Sequence, residues 1–164
     1  MLSSLTKFKN FLGIDENDTS KDNFLNDILL KAEEKIGKVY FGGKLQKDAY
    51  EEYHRFSRII YPVHYPVLNL IELKVDDTLQ MIEKDFYLIN SQIIFTHSYS
   101  NESIVSIVYE AGFDVLPMDV EIAVFLMASK YLKVMQSVDF NKDVIDVLDM
   151  DIEEILTPYR RYVI

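Results

Sequence analysis

One stretch of the sequence limits the possible folds most strongly, because it joins a strand, a turn and an apolar helix: residues 104–131, IVSIVYEAGFDVLPMDVEIAVFLMASKY. It opens with alternating β-branched and aromatic residues, a pattern typical of a strand that ends just before Gly112. Pro117 fits at or just before the first turn of a helix, where its missing N–H costs no hydrogen bond, and acidic residues follow it at the positive end of the helix dipole. A helix is therefore predicted over residues 117–136, with Gly112 and Pro117 forming a hinge between strand and helix.

The apolar residues of this helix recur at spacings of three and four and cover much of its circumference, so neighbours are expected on several sides. The helix is therefore predicted to lie at the centre of the core. The core residues expected from it include Val120, Val124, Met127 and Tyr131.

Helical spacing elsewhere predicts three further helices, over about residues 3–12, 21–36 and 143–156. A glycine follows each of the first two, as is common where helices end. A proline ends the last one. The remaining residues, 157–164, are expected to form an extended C-terminal tail.

Between the helices the apolar period changes from helical to alternating, which predicts an antiparallel β module over about residues 61–110. The alternation is compatible with one longer strand and several short ones, over residues 67–75, 79–82, 87–89, 93–95 and from 104 onward. Residues 48–60 fit either a strand or a short helix. The predicted fold is α+β, mainly α: a helical bundle with a small inserted antiparallel β module and a tail.

The length and composition favour one soluble domain over residues 1–164. A chain of 164 residues is long enough to bury a core without disulfides or a metal. No apolar run approaches the length needed to cross a bilayer, and the lysine-containing N-terminal stretch is predicted to be an amphipathic helix and not a signal peptide. The absence of cysteine excludes a disulfide framework and thiolate metal ligands.

The formal net charge of −10 disfavours general binding to nucleic acids, because phosphate backbones repel an acidic surface. The charge is uneven along the chain. Residues 1–58 are balanced, whereas residues 59–164 hold seventeen acidic and seven basic side chains. A partner of the later part is expected to tolerate or complement negative charge.

The sequence offers little that could carry out catalysis. The three histidines, His54, His64 and His97, lie in separate segments without the spacing of helix-borne metal ligands, and there is neither a nucleophile motif nor a glycine-rich phosphate loop. The acidic run over residues 139–154 lacks the spacing of a calcium loop and is interpreted as a solvated face. We therefore predict no catalytic residue, no metal and no cofactor. The alternative is a small metal-dependent hydrolase that uses these histidines with nearby carboxylates.

The C-terminal residues combine two cations with aromatic side chains at the end of an acidic segment: Tyr159, Arg160, Arg161 and Tyr162. Two interpretations are open. The tail folds back on its own acidic face, or it is a docking peptide, since arginine and tyrosine are enriched among interface anchors and a mobile terminus can become ordered on a partner.

Several stretches, taken in order, resemble the head-tail connector (adaptor, head completion) proteins of tailed bacteriophages. The opening LTKFKNFLGIDENDTSKDNFLNDILLKAEEKIGKVYFG is similar to the family's short helix, acidic loop and second helix. HYPVLNLIELKVDD followed by KDFYLINSQIIF is similar to its tyrosine-proline-valine strand, acidic turn and aspartate-aromatic strand. Residues 104–131 resemble its strand, glycine turn and proline-led helix. ILTPYRRY is similar to its usual ending. The tyrosine-rich run over residues 61–65 and the acidic run over residues 139–154 depart from the pattern.

The resemblance implies a non-enzymatic structural protein of the virion neck, present in the host cytoplasm during assembly. Such a protein docks on the portal ring after DNA packaging and forms the platform for the next neck, stopper or tail protein. It implies a ring of copies that are monomeric when isolated, a lumen through which DNA passes without specific binding, and no membrane partner. The candidate portal contacts are Tyr159, Arg160, Arg161 and Tyr162. Another head-completion or tail-terminator protein is the alternative within this class.

Overall fold

The computed structural model describes residues 2–136 and 150–159. Within this part of the chain lie three long helices, Leu5–Leu12 (α1), Asp22–Tyr40 (α2) and Met118–Gln136 (α3). Residues 150–156 are also helical and lead into a 3-10 helix over Thr157–Tyr159. Seven strands lie between α2 and α3. The predicted α+β class is confirmed.

The chain forms two compact units. The helical unit comprises Met1–Gln46 and Asp114–Ile164, and the β unit comprises Lys47–Phe113. The β unit begins earlier than the predicted module over residues 61–110, because residues 48–60 contribute strands of their own. The single domain over residues 1–164 stays a prediction.

The first helix, α1, begins and ends as its sequence indicates. The Ser4 side chain accepts a hydrogen bond of 3.4 Å from the Lys7 backbone N–H. Gly13 closes the helix in the left-handed region at φ 71° and donates its N–H to the carbonyl of Asn10. The helix starts slightly later than the predicted residue 3.

The second helix, α2, continues to Tyr40, past the predicted end before Gly37. Gly37 is buried, and a Cβ built on it would lie 2.3 Å from the carbonyl oxygen of Gly43. This glycine therefore permits a close approach of the following loop and does not end the helix. The predicted boundary was wrong because the same residue type serves both purposes.

The core of the helical unit forms where α2 and α3 pack together. Val120 and Val124 of α3 are fully buried, Met127 is also buried, and Tyr131 is half-buried. Other fully buried residues of this unit lie on α1, α2, α3 and the last helical segment: Phe8, Leu29, Ala32, Ile36, Ala123, Ala128 and Leu156.

The β unit contains two antiparallel sheets. Its strands are Asp48–Arg55 (β1), Ile59–Ile60 (β2), Val67–Val75 (β3), Thr78–Leu79 (β4), Phe86–Ile89 (β5), Gln92–Phe95 (β6) and Ile104–Ala111 (β7). The four-stranded sheet has the order β1-β7-β3-β4, and the three-stranded sheet has the order β2-β6-β5. The bounds of β3 agree with the predicted strand over residues 67–75. The strand predicted over residues 79–82 is replaced by the two-residue β4.

One apolar core serves both sheets. Its fully buried members come from the central strands of each sheet, and aromatic rings fill the space around Phe95. The core residues are Phe56, Ile60, Leu73, Val75, Phe86, Ile93, Phe95, Val105, Ile107, Tyr109 and Ala111.

The two predicted hinge residues take different roles in their own units. Gly112 has a positive φ of 109° and donates its N–H to the carbonyl of Pro66 at 3.0 Å. The carbonyl of Pro117 accepts the Glu121 N–H at 2.9 Å, which makes Pro117 the residue that precedes α3. Their function as a hinge stays a prediction.

The C-terminal part differs from the predicted tail. The helix predicted over residues 143–156 is observed over 150–156, and its first half lies outside the described residues. Thr157–Tyr159 is a 3-10 helix, so the extended tail predicted over residues 157–164 does not begin at Thr157. Arg160, Arg161 and Tyr162 lie outside the described residues.

Candidate assembly surfaces

A cluster of polar side chains in the β unit gathers around Glu52 of β1. The carboxylate accepts a hydrogen bond from the Tyr109 hydroxyl and lies 2.8 Å from Nε2 of His54. It also accepts the backbone N–H of Val63 at 3.0 Å. Burial raises the pKa of Glu52, but the hydrogen bonds from His54 and Tyr109 outweigh burial and leave the pKa below its usual range.

Val63 and His64, from the tyrosine-rich run over residues 61–65, belong to the same cluster. The His64 backbone N–H donates to the Tyr109 hydroxyl at 3.1 Å. The His64 ring stacks on Tyr50 with centroids 3.7 Å apart and an interplanar angle of 15°. These contacts tie the loop before β3 to β1 and β7, so the cluster has a structural role.

The histidines do not converge as the hydrolase alternative requires. His54 and His64 share the Glu52 cluster, whereas Nδ1 of His97 lies 2.7 Å from the Thr96 hydroxyl on a different turn. Among residues 2–136 and 150–159, no group of three or more histidine, aspartate or glutamate side chains could hold a metal ion.

The helical unit uses buried carboxylates to hold the N-terminal segment. Glu33 accepts the backbone N–H groups of Leu2 and Ser3 at 2.9 and 2.5 Å. Glu121 accepts the Ser4 N–H at 3.3 Å and forms an ion pair of 2.7 Å with Lys7. Helical periodicity did not predict these contacts, because it identifies the apolar face of a helix and does not indicate the partner of an acidic side chain.

Tyr159, the first predicted portal contact, is anchored within the helical unit. Its hydroxyl donates to both carboxylate oxygens of Asp119, at 2.9 and 2.8 Å, in the first turn of α3. Its ring lies 5.7 Å from that of Phe41. Burial, followed by the hydrogen bond and negative charge of Asp119, raises the pKa of Tyr159 to about 12. These contacts fix Tyr159 beside the first turn of α3.

The outer face of the four-stranded sheet is charged. Its strands present both signs in neighbouring positions, including a 2.6 Å ion pair between Lys74 and Glu72. Tyr53, with 67% of its surface exposed, lies in the same row as Lys74, with Ser106 of β7 between them, and donates a hydrogen bond to Glu51. The charged residues of this face are Glu51, Arg55, Glu72, Lys74 and Glu110.

The outer face of the three-stranded sheet carries no charge. The register places Ile59, Ile94 and Tyr87 in one row across β2, β6 and β5, and Ile89 opposite Gln92 in the next row. Ile59, Tyr87 and Ile89 are 37%, 44% and 50% exposed. These five residues are called the charge-free face below. The sequence already indicates this face, because β5 (FYLI) and β6 (QIIF) carry no charged residue on either side. A strand buried on one side only usually alternates apolar with polar residues.

A groove in the helical unit forms a second partly apolar surface. It has a volume of about 480 Å³ and runs beside the start of α3, where Met118 is 78% exposed. Its other lining residues include Phe11, Leu116, Ile122 and Phe125, with Lys7 and Glu121 at its polar side. Within the described residues, no helix is both long and apolar enough to span a bilayer.

The sequence and the fold both have relatives. A profile described as "Phage gp6-like head-tail connector protein" matches residues 2–107. No curated protein matches the sequence significantly.

Two solved structures share the fold. A chain in the structure titled "Neck of empty GTA particle computed with C6 symmetry" superposes with a TM-score of 0.66 at 17% identity, covering 99% of this chain and 91% of that one. A chain in "Neck of native GTA particle computed with C12 symmetry" gives 0.55 at 15% identity, covering 98% and 89%. At these identities the likeness establishes the fold alone.

Proposed function

The chain belongs to the family of phage gp6-like head-tail connector proteins, and we propose on that premise that it is a structural protein of the virion neck, made in the host cytoplasm. It docks on the portal ring after DNA packaging and presents a platform for the next neck or tail protein. The observation that carries this proposal is the family match over residues 2–107, supported by a fold likeness that spans 99% of the chain.

In the particle, copies of the chain form a closed ring. The two similar structures, necks of GTA particles with C6 and C12 symmetry, support this arrangement. A ring with cyclic symmetry needs heterologous contacts, in which each copy offers two unlike surfaces. The charge-free face of the β unit and the Met118 groove of the helical unit are unlike surfaces of this kind. The protein works through these interfaces and makes or breaks no bond.

The last residues contact the portal. Tyr159, which directly precedes Arg160 and Arg161 in the sequence, is held beside the start of α3 by its hydrogen bonds to Asp119. Arginine and tyrosine are enriched among the residues that dominate interface energies, and two cations at the end of a chain with net charge −10 can engage an acidic partner without repulsion. Tyr162 supplies a further aromatic anchor.

The acidity of the chain also suits a channel for DNA. A surface with excess negative charge repels phosphates, so DNA that moves through the ring does not stick to it. We therefore expect no specific binding of nucleic acid.

Co-sedimentation with portal rings of the same phage or prophage tests the proposal. The double variant Arg160→Ala/Arg161→Ala keeps the Tyr159 anchor and should weaken portal binding by roughly 30-fold or more, the effect of losing interface residues worth about 2 kcal/mol. The matched control removes the other two arginines of the chain, Arg55→Ala/Arg58→Ala, and should bind as the wild type does. Equal binding by both double variants would refute the portal role of the tail, and binding to tail tubes instead of portals would identify a tail-terminator protein.

A further inference from the structure

The charge-free face is an unusual surface for so acidic a chain. It comprises every residue that β2, β5 and β6 turn away from the core: Ile59, Tyr87, Ile89, Gln92 and Ile94. The opposite faces of these strands carry Ile60, Phe86, Ile93 and Phe95, which are buried. The three-stranded sheet is thus apolar on both sides, and a sheet that meets water on one face normally alternates apolar with polar residues. Exposed apolar patches of this kind mark interaction sites.

The chain beside this face is held rigidly. The Thr96 hydroxyl donates to the carbonyl oxygens of Lys84 and Asp85 at 2.9 Å, and the Asp85 carboxylate accepts the Met81 N–H at 2.9 Å. Met81 and Ile82 are nonetheless each 57% exposed. A surface whose backbone is already fixed loses little conformational freedom when a partner covers it.

We propose that the charge-free face is the contact through which one copy of the chain meets the next in the ring. This inference rests on the proposed function, because it assumes that copies become neighbours. Every copy has a net charge of −10, so two copies repel each other wherever their charged surfaces meet. A face without charged residues can be covered by a like-charged neighbour with the least repulsion and with a gain from apolar burial.

The charged face of the four-stranded sheet is the internal comparison. It belongs to the same unit and also exposes a tyrosine, Tyr53, but its rows also carry five charged residues: Glu51, Arg55, Glu72, Lys74 and Glu110. A neighbouring copy that covered this face would have to desolvate these five charged side chains. The two faces therefore differ in charge while both present an exposed tyrosine, which provides matched positions for an experiment.

Site-directed cross-linking identifies what covers each face. The chain has no cysteine, so Tyr87→Cys and Tyr53→Cys each accept a single benzophenone-maleimide label. The labelled chains are bound to purified portal rings and irradiated, and the products are identified by mass spectrometry. We expect position 87 to give a product of twice the 19.2 kDa chain mass that contains this chain alone, and position 53 to give at least tenfold less. Adducts of position 87 with the portal, or none while the chain stays bound, would overturn the inference.

A substitution tests the same contact energetically. Tyr87→Glu places a carboxylate on the β5 edge of the charge-free face and should reduce the number of copies retained per portal at least tenfold, whereas Tyr53→Glu, on the edge strand β1 of the charged face, should leave it unchanged. Circular dichroism establishes that both variants fold. Equal retention of the two variants would contradict the proposal.

The two proposals fail in different ways. If the unlabelled wild-type chain does not associate with portals, the proposed function is wrong. The cross-linking is then repeated on the chain alone at increasing concentration, since contact between copies does not require a portal. A chain–chain product from position 87 supports the inference there, and its absence up to millimolar concentration contradicts it.

Discussion

The helical unit and the β unit place their charged side chains in different ways. In the helical unit, carboxylates at the interior fix the ends of the chain: Glu33 binds the N-terminal backbone, and Asp119 binds Tyr159. In the β unit the Glu52 carboxylate holds the Val63 backbone in a similar way. Five charged residues lie on the outer face of the four-stranded sheet, whereas the outer face of the three-stranded sheet has none. One unit thus uses carboxylates to hold residues 2, 3 and 159, and the other separates charged from charge-free residues on its two outer faces.

The largest expected effect tests the packing of the helical unit. Gly37→Ala should destabilise the protein by about 3 kcal/mol or more, because the new Cβ would clash with the Gly43 carbonyl and the loop must move. Gly13→Ala is the control: its Cβ meets open space, so only the left-handed backbone at φ 71° is strained, by about 1–2 kcal/mol. Urea unfolding measures the free energy of unfolding of both variants. Equal decreases would show that the close approach of Gly37 to the Gly43 carbonyl does not limit the size of residue 37.

A smaller effect tests the buried carboxylates of the helical unit. Glu33→Ala leaves two backbone N–H groups without their acceptor and should lower the free energy of unfolding by about 2–3 kcal/mol. Glu34→Ala, one position along the same helix and exposed, should change it by less than about 0.5 kcal/mol. Equal losses for Glu33→Ala and Glu34→Ala would show that the hydrogen bonds of Glu33 to the N-terminal backbone do not stabilise the helical unit.

The Glu52 cluster gives the β unit its own signature in acid. Because the pKa of Glu52 is lowered in the folded protein, its contribution is present above the ordinary value of 4.5 and is lost as the pH falls through the lowered value. Glu52→Gln should remove about 1–2 kcal/mol of stability at neutral pH and flatten the acid limb of the stability profile. A variant whose acid limb matches that of the wild type would show that Glu52 titrates alike in the folded and unfolded chains.

The hydrogen bonds from Tyr159 to Asp119 should lose their stabilising effect at alkaline pH. Its pKa is raised to about 12 in the folded protein from an ordinary 10.0, so its contribution is complete below pH 10 and is lost as the pH rises towards 12. Tyr159→Phe should remove about 1 kcal/mol at neutral pH and abolish that alkaline change. Difference titration of tyrosinate absorbance between the two chains measures the pKa directly, and a Tyr159 that ionises near 10 would contradict the anchored geometry.

The smallest effect concerns the two outer faces of the β unit. Tyr53→Ser and Tyr87→Ser should each change the stability of the isolated chain by less than about 1 kcal/mol, because 67% of Tyr53 and 44% of Tyr87 are exposed. The faces should therefore be equivalent in folding and differ only in assembly. A large loss for Tyr87→Ser in thermal unfolding would indicate that its face already packs within the monomer.

Much of the fold follows from local sequence signals. The helix α3 and the strand β3 were predicted nearly to the residue, because a proline, a glycine or a pair of aspartates bounds each run of regular apolar spacing. The sequence of β1, DAYEEYHR, is compatible with a helix or a strand because of its tyrosines and charges. Pairing with β7 makes it a strand. Gly37 misled the prediction because close packing of a distant loop cannot be inferred from spacing.

The candidate surfaces were less accessible to sequence reasoning. Tyr159 was singled out, but its partner Asp119 lies far away along the chain and was interpreted only as a helix-start residue. The buried acids Glu33 and Glu121 have backbone partners that no periodicity identifies. The apolar sequences of β5 and β6 were visible, yet the charge-free face emerges only when the register brings Ile59, Ile94 and Tyr87 into one row.

Electron microscopy of purified portal rings mixed with this protein tests the central claim most directly. If the chain is a head-tail connector, class averages will show an added ring of density, with the symmetry of a closed assembly, on one end of the portal. Portal rings that remain bare at saturating concentrations of folded chain would contradict it.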